Sequence, residues 1–542
     1  MSVRTLSIAL CLAACGGGGS HHPDAAPPAM SYAHSSSIAL APDGSALYVV
    51  NADLDSVSVI DPNTRALVAE IPLGPTPAVD ASGEYAPAVM PRALAVSPDG
   101  ATLYVTGERS SKLYAIDTAS RQVANSLAVG SEPVGVVVSP DGAAVYVATS
   151  QDRTVVKVTT GDLQLTSTVD LPAQPWALGW SPTDGSLLAT LFQGSAVVAI
   201  DPDAMTVRAT WMIPTTQPRG DARLAHGVVR GLYDVAARPG TGEVWLAHVL
   251  LGIDTPQPAL DFERTAFPSL SIVQAGTGAY QTTLSTDAQD VPGIDGSFAD
   301  VASGPHAIAF TSDGAYALMV DTNSEDVLVV DAASHVEVAL ARPLPGHMPE
   351  GIALAADDRT AYIDERNTGD VAVVKLATTA SGGVTIAPDG APIARSTAPD
   401  PMPAELRFGQ HLFYSAQSDE YPLTTNHWIS CATCHMEGRS DAVTWLFAQG
   451  PRDTPTNAGG TLGTGFLFRT ADRNQVQDYW HTINVEQGGA FDPVSQASLL
   501  DAIAAYVNHA IPLPIPPTTD PVKVAAGMAI FNRADVGCSG CH

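Results

Sequence analysis

Cysteine and positive charge are both scarce in this chain. Its 542 residues include only six cysteines. There are 26 Lys and Arg residues against 56 Asp and Glu residues, which gives a formal net charge of -30. Nucleic acid and anionic membrane surfaces would repel such an acidic chain, so neither is an expected partner. Charged residues make up 15% of the chain and hydrophobic residues 45%, which is ample for the cores of two or more domains.

Long hydrophobic runs are also missing. The apolar run after Arg4 is too short to span a bilayer and is typical of an export signal. Its end, Leu12-Ala-Ala-Cys15, resembles the lipobox of bacterial lipoproteins. That resemblance implies a signal peptide over residues 1–14, a lipid on Cys15 and a periplasmic or cell-surface protein anchored to a bacterial membrane. An ordinary secretory signal cut nearby is the alternative. Residues 15–33 are Gly-, Ala- and Pro-rich and are predicted to form a flexible tether.

Four of the six cysteines form two copies of one pattern, C-x-x-C-H, at 431–435 and 538–542. Two thiols at this spacing can bond to the two vinyl groups of one haem, and the following His can ligate its iron. The pattern predicts two covalent haem c groups, with thioether bonds and proximal iron ligands from these residues: Cys431, Cys434, His435, Cys538, Cys541 and His542.

A zinc site made of four cysteines is the alternative for two C-x-x-C pairs. Such sites do not usually need a His directly after each pair, and here the pairs are far apart in the chain. Loss of Cys11 with the signal would leave no cysteine for a structural disulfide, which fits an oxidising periplasm.

The region before the haem motifs is a repeat. An apolar run, a Pro-Asp-Gly turn and a second run containing Tyr recur at residues 38–49, 94–105 and 136–147. Third and fourth strands follow, as in Ser56–Asp61 and Ala66–Ile71. Seven such units predict an all-β, seven-bladed propeller over residues 34–395. Their first turns lie near Pro42, Pro98, Pro140, Pro182, Pro239, Ser312 and Ala356.

Two longer gaps, 212–232 and 252–303, are predicted to be loops inserted on one face of the propeller. The strands Leu47–Asn51 and Leu103–Thr106 resemble the YVTN family of propeller repeats, which implies the fold and says little about activity.

Several histidines of this region are candidates for a site in the propeller. Gly304–Ala307 and Gly346–Gly351 each precede the first strand of a blade, so they are expected to face the central channel. A structural histidine bonded to a neighbouring blade is the alternative, and no metal-ligand spacing is visible in the sequence. The candidates are His226, His248, His306, His347 and Glu350.

A linker over residues 396–403 precedes the predicted C-terminal domain, which is expected to be mainly α-helical and to span 404–542. A helix is predicted from Ala404, and a glycine and a phenylalanine four residues apart, Gly409 and Phe413, share one of its faces. The same pair recurs as Gly527 and Phe531 before the second motif. In c-type cytochromes, glycine at such a site lets another helix cross closely, and the aromatic ring packs beside the haem.

Three segments resemble bacterial dihaem cytochrome c peroxidases: Leu406–Phe413, Ile429–His435 and Arg452–Asn457. The resemblance implies electron transfer between haems, with peroxide reduction as an enzymatic alternative. His481 is the first candidate for the sixth iron ligand, with His411 and His427 behind it, whereas Met436 is badly placed to reach the far side of the haem. Candidate partners of the haem propionates are Arg439, Arg452, Arg469 and Arg473.

The second haem unit stops at His542, where a c-type domain normally continues with covering helices, so we expect this unit to be incomplete. The function that these patterns favour is electron transfer by an exported c-type cytochrome with a periplasmic redox partner, and a cationic cytochrome would suit its charge. The alternatives are a dihaem peroxidase and a surface protein whose propeller binds a ligand and whose haem domain transfers electrons.

Overall fold

The computed structural model describes residues 33–216, 225–253, 265–285, 301–447, 450–462, 464–467 and 473–540. Four predicted functional residues lie outside these ranges: Cys15, Arg469, Cys541 and His542.

Seven antiparallel sheets follow one another along the chain, and in each of them four strands pair in sequence order. The seventh sheet has a fifth strand. Blade one comprises β1 (Ile38–Leu40), β2 (Leu47–Asn51), β3 (Ser56–Asp61) and β4 (Ala66–Pro72). Blade two comprises β5 (Pro91–Val96), β6 (Thr102–Gly107), β7 (Lys112–Asp117) and β8 (Gln122–Ala128). Blade three comprises β9 (Pro133–Val138), β10 (Ala144–Thr149), β11 (Thr154–Thr159) and β12 (Leu165–Asp170). Blade four comprises β13 (Pro175–Trp180), β14 (Leu187–Leu191), β15 (Ala196–Asp201) and β16 (Thr206–Met212).

The remaining three blades have the same order. Blade five comprises β17 (Val228–Ala237), β18 (Glu243–Leu251), β19 (Ala266–Gln274) and β20 (Ala279–Ser285). Blade six comprises β21 (Pro305–Phe310), β22 (Tyr316–Asp321), β23 (Asp326–Asp331) and β24 (Val336–Ala341). Blade seven comprises β25 (Pro349–Leu354), β26 (Thr360–Glu365), β27 (Asp370–Thr378) and β28 (Val384–Pro388), with β29 (Ile393–Ala394) pairing with β27. The predicted seven-bladed propeller is confirmed.

The turn chemistry explains the first hairpin of the blades. In blade two, Asp99 Oδ1 accepts hydrogen bonds from the Ser97 hydroxyl at 2.6 Å and from the Ala101 amide at 3.0 Å. Gly100 then takes a φ of 74°, which a residue with a side chain rarely adopts. All seven predicted turns fall between the first two strands of a blade.

The blades bury both faces of their inner strands, which is why those strands are nearly continuous apolar runs. All six residues of β10 are buried. Val145 and Val147 pack with blade two, whereas Tyr146 and Ala148 pack on blade four. Alternate side chains of one strand therefore join the cores on its two sides.

The segment before β1 crosses the central channel. His34 pairs with Gly179 near the end of β13, and Ser36 pairs with Leu94 in β5. The His34 Nδ1 atom lies 2.8 Å from Asp234 Oδ1 of β17. Burial alone would lower the pKa of His34, but the Asp234 carboxylate outweighs it and raises that pKa. An ion pair thus secures the segment inside the ring.

One of the predicted insertions is partly wrong. The gap 252–303 contains β19 and β20, which complete blade five and leave no loop over residues 266–285. Residues 217–224, 254–264 and 286–300 of the two gaps lie outside the described ranges.

The C-terminal region places short elements against the propeller. Its helices are α1 (Ala404–Tyr414), α2 (Cys431–Cys434), α3 (Trp480–Glu486), α4 (Ala497–His509) and α5 (Pro521–Phe531). Single 3-10 turns lie at Met436–Gly438, Val476–Tyr479 and Cys538–Gly540, and β30 (Thr444–Phe447) pairs with β31 (Gly450–Asp453).

The crossing of α1 and α4 depends on a glycine. A Cβ atom added to Gly409 would collide with the carbonyl oxygen of Ala502 and lie 2.8 Å from Tyr506 Cβ. This close approach of two helices is the role predicted for Gly409. Among the helices that the structure describes, none has the length and apolar character needed to cross a membrane.

Candidate functional site

The first C-x-x-C-H motif begins on α2. Cys431 and Cys434 place their thiols one helical turn apart. Thr433 Oγ1 fixes the start of this turn by accepting hydrogen bonds from the Ser430 amide at 3.2 Å and from the Asn323 side chain of the propeller at 2.9 Å. Burial raises the pKa of the Cys431 thiol to about 11, so this thiol is protonated at neutral pH.

His435 is oriented by a carbonyl from a distant segment. Its Nδ1 atom donates to the Pro455 carbonyl oxygen at 3.0 Å, and this bond assigns the tautomer. Burial lowers the pKa of His435 to about 4, so the ring is neutral at pH 7. In this tautomer the Nε2 atom carries the lone pair that could bind a metal ion. The segment Arg452–Asn457, identified by its resemblance to the peroxidases, supplies the orienting carbonyl.

Asp441 supports that segment and was not found from the sequence. Its Oδ2 atom accepts hydrogen bonds from Trp445 Nε1 at 2.9 Å and from Thr454 Oγ1 at 2.8 Å. Burial raises the pKa of Asp441 to about 6. No sequence pattern marks this Asp, because its partners are brought to it by the β30–β31 pair.

Apolar side chains surround the motif. Cys431 packs against a cluster from α1, α3 and α4, and the ring centroid of Phe413 lies 6.4 Å from that of His435. Three large apolar side chains of the following segment face solvent: Leu462 and Phe466 are 68% exposed and Trp480 is 38% exposed. Paired thiols and a neutral imidazole with apolar side chains packed beside them are what a covalently attached porphyrin needs, so the residues fit haem.

The residues after His435 enter the mouth of the central channel. Met436 is buried in one cluster with Phe192 and Val249 of the propeller. Glu437 Oε2 accepts a hydrogen bond from Arg92 at 2.7 Å, and the Arg92 guanidinium lies over the Trp176 ring at 5.2 Å. These contacts fix the motif on the propeller.

Three of the four candidate arginines lie among the described residues. Arg439 pairs with Glu132 at 2.8 Å and with Glu108 at 3.4 Å, both in the propeller. Arg452 is buried opposite Trp445 in the β30–β31 pair. Arg473 pairs through its backbone with Leu467.

The three candidates for the sixth ligand are separated. His481 is exposed on α3, with its ring 5.8 Å from that of Trp480. His411 is buried, and its Nε2 atom lies 3.0 Å from Glu325, so its side chain contacts the propeller. His427 Nε2 lies 3.6 Å from Asp419, and the His427 carbonyl accepts a hydrogen bond from Ser303 at 2.6 Å.

The channel histidines are partly as predicted. His306 faces the channel and donates through Nδ1 to the Glu350 carbonyl at 2.7 Å. His306, Glu350 and His248 line one cavity with Thr433 and Met436 of the segment that carries the first C-x-x-C-H motif. His226 packs its ring against Phe267 at 5.0 Å.

His347 does not follow the prediction. Its Nδ1 atom lies 3.0 Å from Glu325 Oε2, and its ring stacks on His411 of α1 at 3.7 Å. It therefore faces the C-terminal region and not the channel. Glu325 was not a candidate, since 22 residues separate it from His347 and 86 from His411.

The second motif has no comparable surroundings among the described residues. Cys538 is a free thiol in the turn Cys538–Gly540. The preceding helix α5 buries none of its side chains. No atom lies within 4 Å of a Cβ added to Gly527, and Phe531 is exposed.

Neither a family model nor a curated protein matches the chain. Among solved structures, Kuenenia stuttgartiensis hydrazine synthase is similar with a TM-score of 0.53 at 21% identity, over 67% of this chain and 99% of that chain. The dihydro-heme d1 dehydrogenase NirN matches at a TM-score of 0.42 and 15% identity, over 68% of both chains. The propeller domain of Myceliophteria thermophila Cps50 (Swd1) matches at 0.45 and 13%, over 62% of this chain and 96% of that chain. The first likeness shows the fold of the propeller and nothing of its activity.

Proposed function

We propose that this chain is an exported c-type cytochrome that binds haem covalently and transfers electrons. One observation carries the proposal: Cys431 and Cys434 lie one turn apart before His435, whose Nδ1–H donates to Pro455 at 3.0 Å and leaves Nε2 as the ligand atom. Bound haem supplies one-electron redox chemistry, with a potential set by its second axial ligand and its pocket. Cys538, Cys541 and His542 are proposed to hold a second haem in the same way.

The protein residues hold this group in a fixed place. The Pro455 carbonyl keeps the His435 ring oriented, and burial keeps that ring neutral. The cluster around Phe413 excludes water from one side of the motif. Asn323 and Arg92 of the propeller bond to Thr433 and Glu437 on either side of it. A haem on this motif would therefore be rigidly positioned over the channel mouth.

From this position we infer that the propeller serves to hold residues 431–437 in place. Met436 and Glu437 occupy the mouth through which a ligand would reach the channel. A propeller ligand, as in the binding-protein alternative, would therefore have to use another surface. The redox partner is proposed to be a cationic periplasmic protein, since the net charge of -30 would attract it. A lipid on Cys15 is proposed as the membrane anchor.

Peroxide reduction is the second candidate function. His481, the first candidate for the sixth ligand, lies on the exposed surface of α3. An iron with an open sixth position is the form that would bind peroxide. A high-spin ferric spectrum together with peroxide-dependent oxidation of a reduced cytochrome would favour this activity. A fully low-spin protein without turnover would exclude it.

The proposal is tested with full-length protein matured in a haem-ligating bacterial host. Intact mass and a pyridine haemochrome spectrum count covalent haem in the parent, in Cys431→Ser/Cys434→Ser and in the matched Cys538→Ser/Cys541→Ser. We expect two haems in the parent and one in each double variant, with haem on peptide 431–435 only when its cysteines are present. A parent with bare thiols, or with sulfur-bound zinc, contradicts the proposal.

A further inference from the structure

A buried carboxylate and two imidazoles meet where the propeller touches α1. Glu325 comes from the β22–β23 turn, His347 from the loop before β25, and His411 from α1. The two Glu325 oxygens each lie 3.0 Å from an imidazole nitrogen, Nδ1 of His347 and Nε2 of His411. One potential ligand atom from each residue lies within 4.8 Å of the other two.

We propose that Glu325, His347 and His411 bind one divalent first-row cation of the zinc type, which links α1 to the propeller. Two imidazoles and one carboxylate are a known ligand set for zinc with a fourth position left open. Zinc bonds of about 2.0–2.2 Å place tetrahedral ligands about 3.4 Å apart, so the three side chains need only small rotations. This site is separate from the haem motifs and does not depend on haem.

The arrangement is more specific than a histidine bonded to a carboxylate. Both imidazoles turn a nitrogen toward one carboxylate, and their rings stack with centroids 3.7 Å apart. Each of these nitrogens carries its proton toward Glu325 in the neutral metal-free form. Binding of the cation moves that proton to the other ring nitrogen, so neutral imidazoles coordinate without any change in redox state.

A cation can reach the three side chains. Glu325 and His411 are buried, but the His347 side chain is 31% exposed. The two histidines line an open cavity of about 650 Å³ with Phe408 and Tyr421. The fourth coordination position would face this cavity, where water or a small anion can enter.

The propeller presents Glu325 on a rigid turn. Its φ of 56° is matched by the residues that precede the third strand in four other blades, namely Asp55, Ser111, Arg153 and Ser195, with φ between 49° and 57°. The backbone conformation therefore belongs to the repeat and not to the ligand site. What is specific to blade six is a carboxylate at this position beside two histidines.

Zinc binding to the full-length haem-loaded protein tests the proposal. The adjacent pair His21-His22 is replaced by alanine in every sample, because two neighbouring histidines bind zinc adventitiously. After chelation and dialysis, isothermal titration with ZnCl₂ measures affinity, elemental analysis measures stoichiometry, and zinc-edge X-ray absorption identifies the ligand atoms. The variants are His347→Gln, His411→Gln and Glu325→Gln, with His335→Asn as the matched control. His335 lies in the β23–β24 turn with a φ of 60°, which Asn tolerates.

We expect one zinc per chain in the parent and in His335→Asn, with only nitrogen and oxygen ligands at about 2.0–2.1 Å. Each Gln variant should weaken binding by more than about 100-fold, because a coordinating group is lost. Gln at 347 or 411 keeps an N–H donor toward Glu325, so haem content and thermal midpoint show that these variants fold. No zinc in the parent, affinity unchanged in the Gln variants, or sulfur ligands at about 2.3 Å would each overturn the proposal. Bare cysteines with an intact nitrogen-and-oxygen zinc site would instead contradict only the haem assignment.

Discussion

Two helices of this chain carry glycine and phenylalanine four residues apart, and each leads to a C-x-x-C pair. In α1, Gly409 lies against Ala502 of α4 and Phe413 is buried. In α5, Gly527 has no neighbouring atom within 4 Å of an added Cβ and Phe531 is 38% exposed. Identical local patterns therefore have different surroundings.

The difference shows what a short motif specifies and what it does not. The spacing of two cysteines and a histidine fixes which bonds to a haem are chemically possible. The environment of the first motif comes instead from other parts of the chain, chiefly α4, the Pro455 segment and the propeller. The stability and electrochemistry of the two sites should differ accordingly.

Replacing the phenylalanine by alanine should produce the largest difference between the two helices in the free energy of unfolding. Phe413→Ala removes a ring that is 1% exposed and should lower the free energy of unfolding of the C-terminal region by about 3–5 kcal/mol. Phe531→Ala in the exposed helix should change it by less than about 1 kcal/mol. Denaturant titrations followed by tryptophan fluorescence and haem absorbance measure both values. Equal losses would break the comparison.

The next largest difference is expected in how stability depends on pH near the two motifs. Burial raises the pKa of Asp441 to about 6, above its ordinary value of 3.8, so its contribution to stability is greatest below pH 4 and declines as pH rises to about 6. Relative to Asp441→Asn, the parent should lose about 3 kcal/mol of stability between pH 4 and pH 7.

The matched carboxylate near the second motif is Asp535, whose pKa is lowered by its hydrogen bonds with Arg533. Its favourable contribution is lost only as pH falls below 3.8, so Asp535→Asn should leave the slope between pH 4 and pH 7 unchanged. Urea midpoints at four pH values suffice to measure both slopes. The same slope change in both variants would contradict the burial of Asp441.

A single methyl group should have effects of opposite sign on the two helices. Gly409→Ala places a Cβ against Ala502 and should destabilise the α1–α4 crossing by about 1–3 kcal/mol. Gly527→Ala meets no atom and should raise helix stability by up to about 1 kcal/mol, since alanine has the higher helix propensity. Thermal melts of the two variants provide the test, and a stabilising Gly409→Ala would refute the close crossing.

Local features were predictable from the sequence, whereas partners distant in the chain were not. The seven first turns and the start of α1 at Ala404 were predicted because each depends on a few adjacent residues. The outer strands β19 and β20 were missed because an insertion separates them from the turn that marks blade five.

In the candidate site too, partners that are distant in the chain were not predictable from the sequence. The cysteines and His435 are visible as a motif, but the partner of His435 lies 20 residues away and is a backbone carbonyl, which no side-chain pattern records. Glu325 and His411 are joined only by the docking of α1 on blade six. The β-hairpins form from neighbouring residues, while such contacts depend on the completed tertiary fold.

The position of His34 bears on how the molecule would sit on a bacterial surface. Met436 and Glu437, directly after the first C-x-x-C-H motif, contact Trp176 and Arg92 near the starts of β13 and β5, whereas His34 pairs near the far end of β13. A lipid on Cys15 would be joined to His34 by about 20 residues, with a reach of at most about 65 Å. A tether of this reach would let the face that carries the first C-x-x-C-H motif stand clear of the bilayer, where a diffusing electron carrier could dock.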